Sequence, residues 1–304
     1  MKVLIIKLGA TGDVVRTTPL LNRLDGQITW LTSAKNTVLV DGMKNDLRCF
    51  SWEERQRALD THYDLAINLE DTLDVAQFVR TVRCGEMFGA YVDSDVLLRY
   101  TKDFARWFDL SLISAYGKQK ADALKFQNRR TYQEMIFEGL GLRFAGEPYL
   151  LPEPLETKLS GDVALGAEAG PVWPMKKWAY YDQLKQRLEG EGLTVNFLPK
   201  RSSLREHLGD VRNHQCLVSG DSLPMHFALG TGTRCVSLFT CTSPWEIYDY
   251  GVQRKIVSPL LEEFFYKRER DERATTAISV DEVFDAVISH LEALVPVESS
   301  VVVR

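Results

Sequence analysis

Three stretches of this chain combine charged or hydroxyl side chains with glycine at junctions where chemistry is commonly done. In KLGATGD, Gly9, Gly12 and Asp13 follow the apolar run Val3 to Ile6 and precede an apolar-periodic segment running to Leu24. The pattern predicts a strand over 3–7, a glycine turn and a helix over 14–24. An acid there either caps the helix, stabilising it by about 1 kcal/mol, or stands outside a strand's carboxyl end, where open α/β sheets bind ligands. The spacing is neither that of a dinucleotide fingerprint nor that of a P-loop.

The second stretch, VWPMKKW, places Lys176 and Lys177 just ahead of a helix predicted over 178–189. Cations at a helix start oppose its dipole. They are therefore either solvated surface lysines or partners of a phosphate shared with the free N–H groups. The third, LVSGDSLPMHFALGTGTRCVSLFTCTSP, contains two predicted strands, 216–219 and 234–239. Their ends carry Asp221, Ser222, Thr240, Thr242 and Ser243, and a helix starts near Pro224, where proline suits the first turn. His226 on that helix reads either as a core histidine or, in view of the clustered polar groups, as part of a site.

These residues need a scaffold, and apolar runs alternating with helical patterns supply one. Strands are predicted at 3–7, 28–31, 48–52, 65–69 and 87–92, which argues for a parallel sheet covered by helices on both faces. From Tyr91 to about 130 no clear strand is visible. That segment, with Trp107, Phe108, Leu110, Leu112 and Ile113, is expected to be helical or irregular and to cover part of a cleft. A helix over 131–140 leads into a linker marked by Pro148, Pro152 and Pro154. A second β/α series follows, with strands at 163–166, 194–198, 216–219 and 234–239 and helices at 178–189 and 224–229. A final helix over 279–294 has Ser279 as its N-cap.

At 304 residues the chain is twice the usual length of one domain, about 150 residues, so two domains are expected, 1–154 and 155–304. The final helix belongs to the second or packs back on the first. A net charge of -5 offers no general attraction to nucleic acid. The opening apolar run is too short for a signal-peptide core or a membrane span. Five cysteines without a CxxC pair read as free thiols of a reducing cytoplasm. The mixed-sign run 267–273 reads as solvated.

In order along the chain, KLGATGDVVRTTPLLNRL, YDLAINLE, Lys176-Lys177-Trp178 and the 221–244 stretch resemble glycosyltransferase family 9, the lipopolysaccharide heptosyltransferases. The resemblance implies an α/β GT-B fold, two Rossmann-like domains facing across a cleft. It also implies an inverting transfer of a sugar, heptose from ADP-heptose, to a hydroxyl of a saccharide or lipid-linked acceptor, with no cofactor and no metal. By the same resemblance Asp13 is the catalytic base, and Lys176, Lys177, Asp221, Ser222, Leu223, His226 and Thr242 hold the donor. Gly12 and Arg16 are expected to meet the acceptor, with Arg80 and Arg83 as weaker candidates. The expected location is the cytoplasm, with peripheral contact at the inner membrane face.

Leu223 and Thr240 stand where the family has glycine, and 199–207 offers Lys200 and Arg201 before Glu206, where relatives place an acid on the ribose. The two-domain architecture leaves a sugar-nucleotide epimerase of similar fold as one alternative, and the missing glycines motivate another, a non-catalytic nucleotide-sugar-binding protein.

Overall fold

The computed structural model describes residues 1–102 and 116–292. The apolar residues 107–113, expected to cover a cleft, and the tail beyond 292 lie outside them. The described chain divides into two compact units. Unit 1 comprises the described residues of 1–156, 201–208 and 243–250, and unit 2 those of 157–200, 209–242 and 251–292.

Unit 1 is built on a six-stranded sheet, β1 (Lys2–Ile6), β2 (Gln27–Thr32), β3 (Leu47–Ser51), β4 (Tyr63–Asn68), β5 (Cys84–Val92) and β6 (Leu98–Tyr100), in the order β3-β2-β1-β4-β5-β6. The first five strands are parallel; β6 runs antiparallel to β5. In β1, Val3, Leu4, Ile5 and Ile6 are all fully buried, as expected of a parallel strand covered on both faces. Leu4, Ile6, Leu31 and Ala66 form one core with Val75, Phe78 and Val79 of the helix Leu73–Val79.

Unit 2 carries a five-stranded parallel sheet, β7 (Gly161–Gly166), β8 (Val195–Phe197), β9 (His214–Gly220), β10 (Arg234–Phe239) and β11 (Gln253–Val257), in the order β11-β10-β9-β7-β8. The final helix, Val280–Glu292, starts after Ser279, whose hydroxyl accepts from the Glu282 N–H at 3.2 Å. It buries Val283, Ala286 and Val287 against Val218, Val236 and Leu238 of this sheet, so it packs with unit 2.

Several elements depart from the sequence reading. The helix expected over 14–24 is a short α-helix, Thr11–Thr17, that tightens into a 3₁₀ turn at Thr18–Asn22. Pro19 has no N–H to continue the α-helical ladder. The helix expected from Trp178 begins at Tyr181, and Lys176 ends a 3₁₀ turn, Pro174–Lys176, ahead of it. Leu98–Tyr100 is a strand where none was expected. Strand β11 and the helix Leu204–Arg212 are likewise additional. Among the described residues no helix is long and apolar enough to cross a membrane.

In both sheets the strand order reverses once, between β1 and β4 in unit 1 and between β7 and β9 in unit 2. Open α/β sheets bind ligands outside the carboxyl ends of the strands at this reversal, because the connections there diverge to opposite faces and leave a crevice. Asp13 follows β1, Lys176 follows β7 and Asp221 follows β9 directly.

Candidate functional sites at two strand reversals

In unit 1 the turn after β1 is held from both sides. The Glu70 carboxylate, two residues beyond β4, accepts from the Leu8 N–H at 2.7 Å, the Gly9 N–H at 3.4 Å and the Lys7 ammonium at 2.9 Å. Fully buried Asn36, beyond β2, donates to the Leu8 carbonyl at 2.9 Å and accepts from the Thr11 hydroxyl at 2.9 Å. Burial opposes the charge on Lys7, but Glu70 and Asp13 outweigh it and raise its pKa. A turn fixed by two neighbouring strands presents Asp13 with little freedom to lose on binding.

Asp13 is the third residue of its helix. One of its oxygens accepts from the Ala10 N–H at 3.2 Å, so it does help to satisfy the helix start. The other lies 2.9 Å from the Arg16 guanidinium, and the side chain is 34% exposed. Asp13 is thus oriented by two partners without being packed away. Arg16 is only 17% exposed, its guanidinium held by protein groups rather than by solvent. Its guanidinium lies 4.1 Å from the centre of the Tyr132 ring and 3.6 Å from the Glu246 carboxylate. Gly12 is half-buried beside Asp13 in the same helix.

In unit 2, Lys176 and Asp221 form a closed pair. The ammonium donates to the Asp221 carboxylate at 2.8 Å and to its backbone carbonyl at 2.7 Å. Burial alone would raise the Asp221 carboxyl, but Lys176 and then His226 overcome this and hold it at about 2. Gly220 permits the approach of the two segments, since a β-carbon there would meet the Lys176 carbonyl oxygen at 2.7 Å. The Thr240 hydroxyl donates to the Met175 carbonyl at 2.6 Å. This departure from the family pattern therefore ties the lysine-bearing turn to the end of β10.

His226, 4% exposed, lies within electrostatic reach of Asp221. The Ser222 hydroxyl donates to the Gly220 carbonyl at 3.2 Å, and Leu223 opens the helix Leu223–Thr231 half-buried. The Thr242 hydroxyl is buried near the Asp221 carboxylate, whose ionised form it favours, but it makes no well-formed hydrogen bond to a described residue, an arrangement a ligand would complete. Lys177 is 53% exposed and pairs with Glu168 on the surface, outside the Lys176–Asp221 contacts. Among the described residues no group of three or more His, Cys, Asp or Glu side chains could hold a metal.

Sequence reasoning singled out Asp13, Arg16, Lys176, Asp221 and His226. It gave no role to Glu70, Asn36, Tyr132 or Glu246. The first two are legible only once β2 and β4 are known to flank β1.

No protein-family model and no curated protein sequence matches the chain. Solved structures do. The Escherichia coli heptosyltransferase WaaC with ADP superposes with a TM-score of 0.63 at 14% identity, over 95% of this chain and 100% of its own. A glycosyl transferase family 9 protein from Veillonella parvula gives 0.66 at 15% identity, over 96% and 97%. The iron-containing dodecameric glycosyltransferase TibC of enterotoxigenic E. coli gives 0.60 at 12% identity, over 96% and 78%. The α/β class with two Rossmann-like domains, GT-B, is the fold this chain shares with them.

Proposed function

We propose that this chain is an inverting glycosyltransferase of the family 9 type. It moves a sugar, heptose from ADP-heptose, to a hydroxyl of a saccharide or lipopolysaccharide-type acceptor. The observation that carries this reading is the Asp13 carboxylate, one-third exposed at a strand reversal on a turn locked by Glu70 and Asn36. Inversion needs a carboxylate, ionised at neutral pH, within hydrogen-bond reach of the attacking hydroxyl. Asp13 accepts that proton as the hydroxyl oxygen bonds to the anomeric carbon and the bond to the diphosphate breaks. Gly12 and Arg16 meet the acceptor.

The donor belongs to unit 2. Lys176, His226 and the N–H groups that open the helix Leu223–Thr231 supply positive charge for the departing nucleoside diphosphate. The buried Thr242 hydroxyl, without a well-formed hydrogen bond of its own, supplies a further bond. Asp221 and Ser222 orient that set, with Leu223 and Lys177 at its margin. A fixed lysine with helix N–H groups fills the role for which other transferases use a divalent cation, so transfer proceeds in EDTA. ADP bound to WaaC, a protein of the same fold, supports an adenine nucleotide. The enzyme works in the cytoplasm, with peripheral contact at the inner membrane face when the acceptor is lipid-linked, and with no nucleic-acid partner.

The test is a thermal-shift screen against nucleotide sugars, since a ligand that binds only the native state raises the melting temperature. Mass spectrometry of products with the selected donor and a lipopolysaccharide-type acceptor follows. Asp13→Asn should keep donor binding and lose turnover by a factor of about 10²–10⁴. Lys176→Ala should weaken donor binding. Transfer by Asp13→Asn at the wild-type rate would overturn the reading, and hydrolysis or epimerisation of donor in the absence of acceptor would replace it.

A further inference from the structure

Arg16 stands between two carboxylates of unequal exposure. One amino group of its guanidinium lies 2.9 Å from Asp13, whose side chain is 34% exposed. The other lies 3.6 Å from Glu246, whose side chain is 7% exposed. The guanidinium face rests on Tyr132, and Tyr132 is fixed twice, by its hydroxyl at 2.7 Å from that of Thr17 and by its N–H donating to the Glu246 carbonyl at 2.9 Å. Glu246, Tyr132 and Arg16 are therefore one assembly. Lys125 of the helix Lys118–Gln127 lies within electrostatic reach of Glu246, Arg16 and Asp13.

This arrangement poses a problem for a base. A cation at hydrogen-bond distance favours the ionised carboxylate and resists its protonation. When Asp13 takes the acceptor proton it becomes neutral, and the mostly buried Arg16 loses the charge it faced. A buried ion deprived of its partner is costly. Lys7 does not share the difficulty, because its carboxylate partner, Glu70 at 2.9 Å, takes no part in the proton transfer.

We infer that Glu246 is a positioning residue that takes over Arg16 as Asp13 is protonated, keeping the guanidinium paired through the transfer. The movement required is small: closing the 3.6 Å gap to the length of a charged hydrogen bond is a shift of roughly 0.7 Å. The guanidinium makes that shift across the Tyr132 ring without leaving its face. No covalent step is added; the proton passes from the acceptor hydroxyl to Asp13 as before. The inference rests on the proposed transfer with Asp13 as base.

Steady-state kinetics with the nucleotide sugar selected by the screen and a lipopolysaccharide-type acceptor test it. Glu246→Gln should lower kcat by about 10–100-fold while KM for donor and acceptor stays within about threefold. Adding Arg16→Gln to Glu246→Gln removes the cation whose pairing Glu246 maintains; because Arg16 also meets the acceptor, KM for acceptor should rise, but at saturating acceptor the double variant should recover at least about tenfold in kcat. A residue needed only for folding would show no such recovery. The inference is overturned if Glu246→Gln keeps kcat within about twofold of wild type, or if the double variant is no faster than the single. Should Glu246→Gln give no cooperative melt, Glu246→Asp decides. It keeps the charge on a shorter arm, so kcat should fall roughly two- to tenfold at constant KM, and an unchanged kcat or an altered KM overturns the inference. A wild-type enzyme that transfers nothing, or an Asp13→Asn variant that still transfers, defeats the underlying reading and leaves a different signature.

Discussion

Asp13 and Asp221 occupy matching places, each just beyond a strand at the reversal of its own sheet, and their surroundings assign them opposite work. Asp221 is 17% exposed, accepts from Lys176 and is held at about 2. A carboxyl so hard to protonate is a poor proton acceptor and a good anchor. Asp13 is twice as exposed, and the Arg16 guanidinium beside it also faces Glu246. The residue type is common to both. What separates them is whether the neighbouring cation has somewhere else to go.

The same substitution should therefore fail in opposite ways. Asp13→Asn keeps an oxygen for the Ala10 N–H and loses a partly exposed ion pair, so stability should change by less than ~1 kcal/mol while turnover falls by orders of magnitude. Asp221→Asn should cost about 3 kcal/mol, because a mostly buried Lys176 loses its counter-charge. Urea denaturation and single-turnover rates on both variants give the four values. Equal stability losses at the two positions would erase the contrast.

The pH dependence sharpens the same contrast at a smaller scale. A carboxyl whose folded pKa is depressed contributes stability that is complete above its unfolded value, near 3.8, and is lost as pH falls through its folded value, about 2. The gap is worth ~2 kcal/mol. The stability difference between wild type and Asp221→Asn should stay level from pH 7 to about 5 and shrink below about 4. A difference that already shrinks between pH 7 and 5 would show that Lys176 does not hold Asp221 as described.

Much of this was readable from the chain. The buried run of β1 and the glycine turn announced a β-turn-helix unit, and Asp13 could be placed in it before any coordinates. The strands missed are edge strands with little apolar content: β6 has three residues, and β11 buries only Ile256 well. Edge strands pair on one side only and bury less apolar surface, so their hydrophobic pattern is weaker. Thr240 read as the loss of a glycine, because nothing local reveals that its hydroxyl would reach Met175. Glu246 was invisible for a plainer reason. It lies in a stretch remote in sequence from Asp13, and only the return of 243–250 to unit 1 brings it to Arg16.

Thr242 and Lys177 carry the smaller effects. Thr242→Val puts a group of the same shape in place of a buried hydroxyl that makes no well-formed hydrogen bond and gives Asp221 only weak support, so the stability of the free protein should change by under about 1 kcal/mol. If the hydroxyl exists for the donor, affinity should drop about tenfold, the equivalent of one hydrogen bond at ~1.4 kcal/mol. Unchanged donor affinity with raised stability would make Thr242 a mere packing residue.

Lys177 is the most modest case and separates its two readings cleanly. Its partner Glu168 is 82% exposed, and such pairs contribute between nothing and about 1 kcal/mol, much of it screened by salt. Lys177→Ala should thus shift stability by under ~0.5 kcal/mol. Its long side chain can still leave Glu168 for a diphosphate, at the cost of that weak pair alone. Donor affinity measured in low and high salt decides: a loss of a few-fold that fades as salt is added marks a long-range contribution to the anion. A large loss that persists at high salt would put Lys177 in direct contact with the donor, beside Lys176, and would require the surface pair with Glu168 to break on binding.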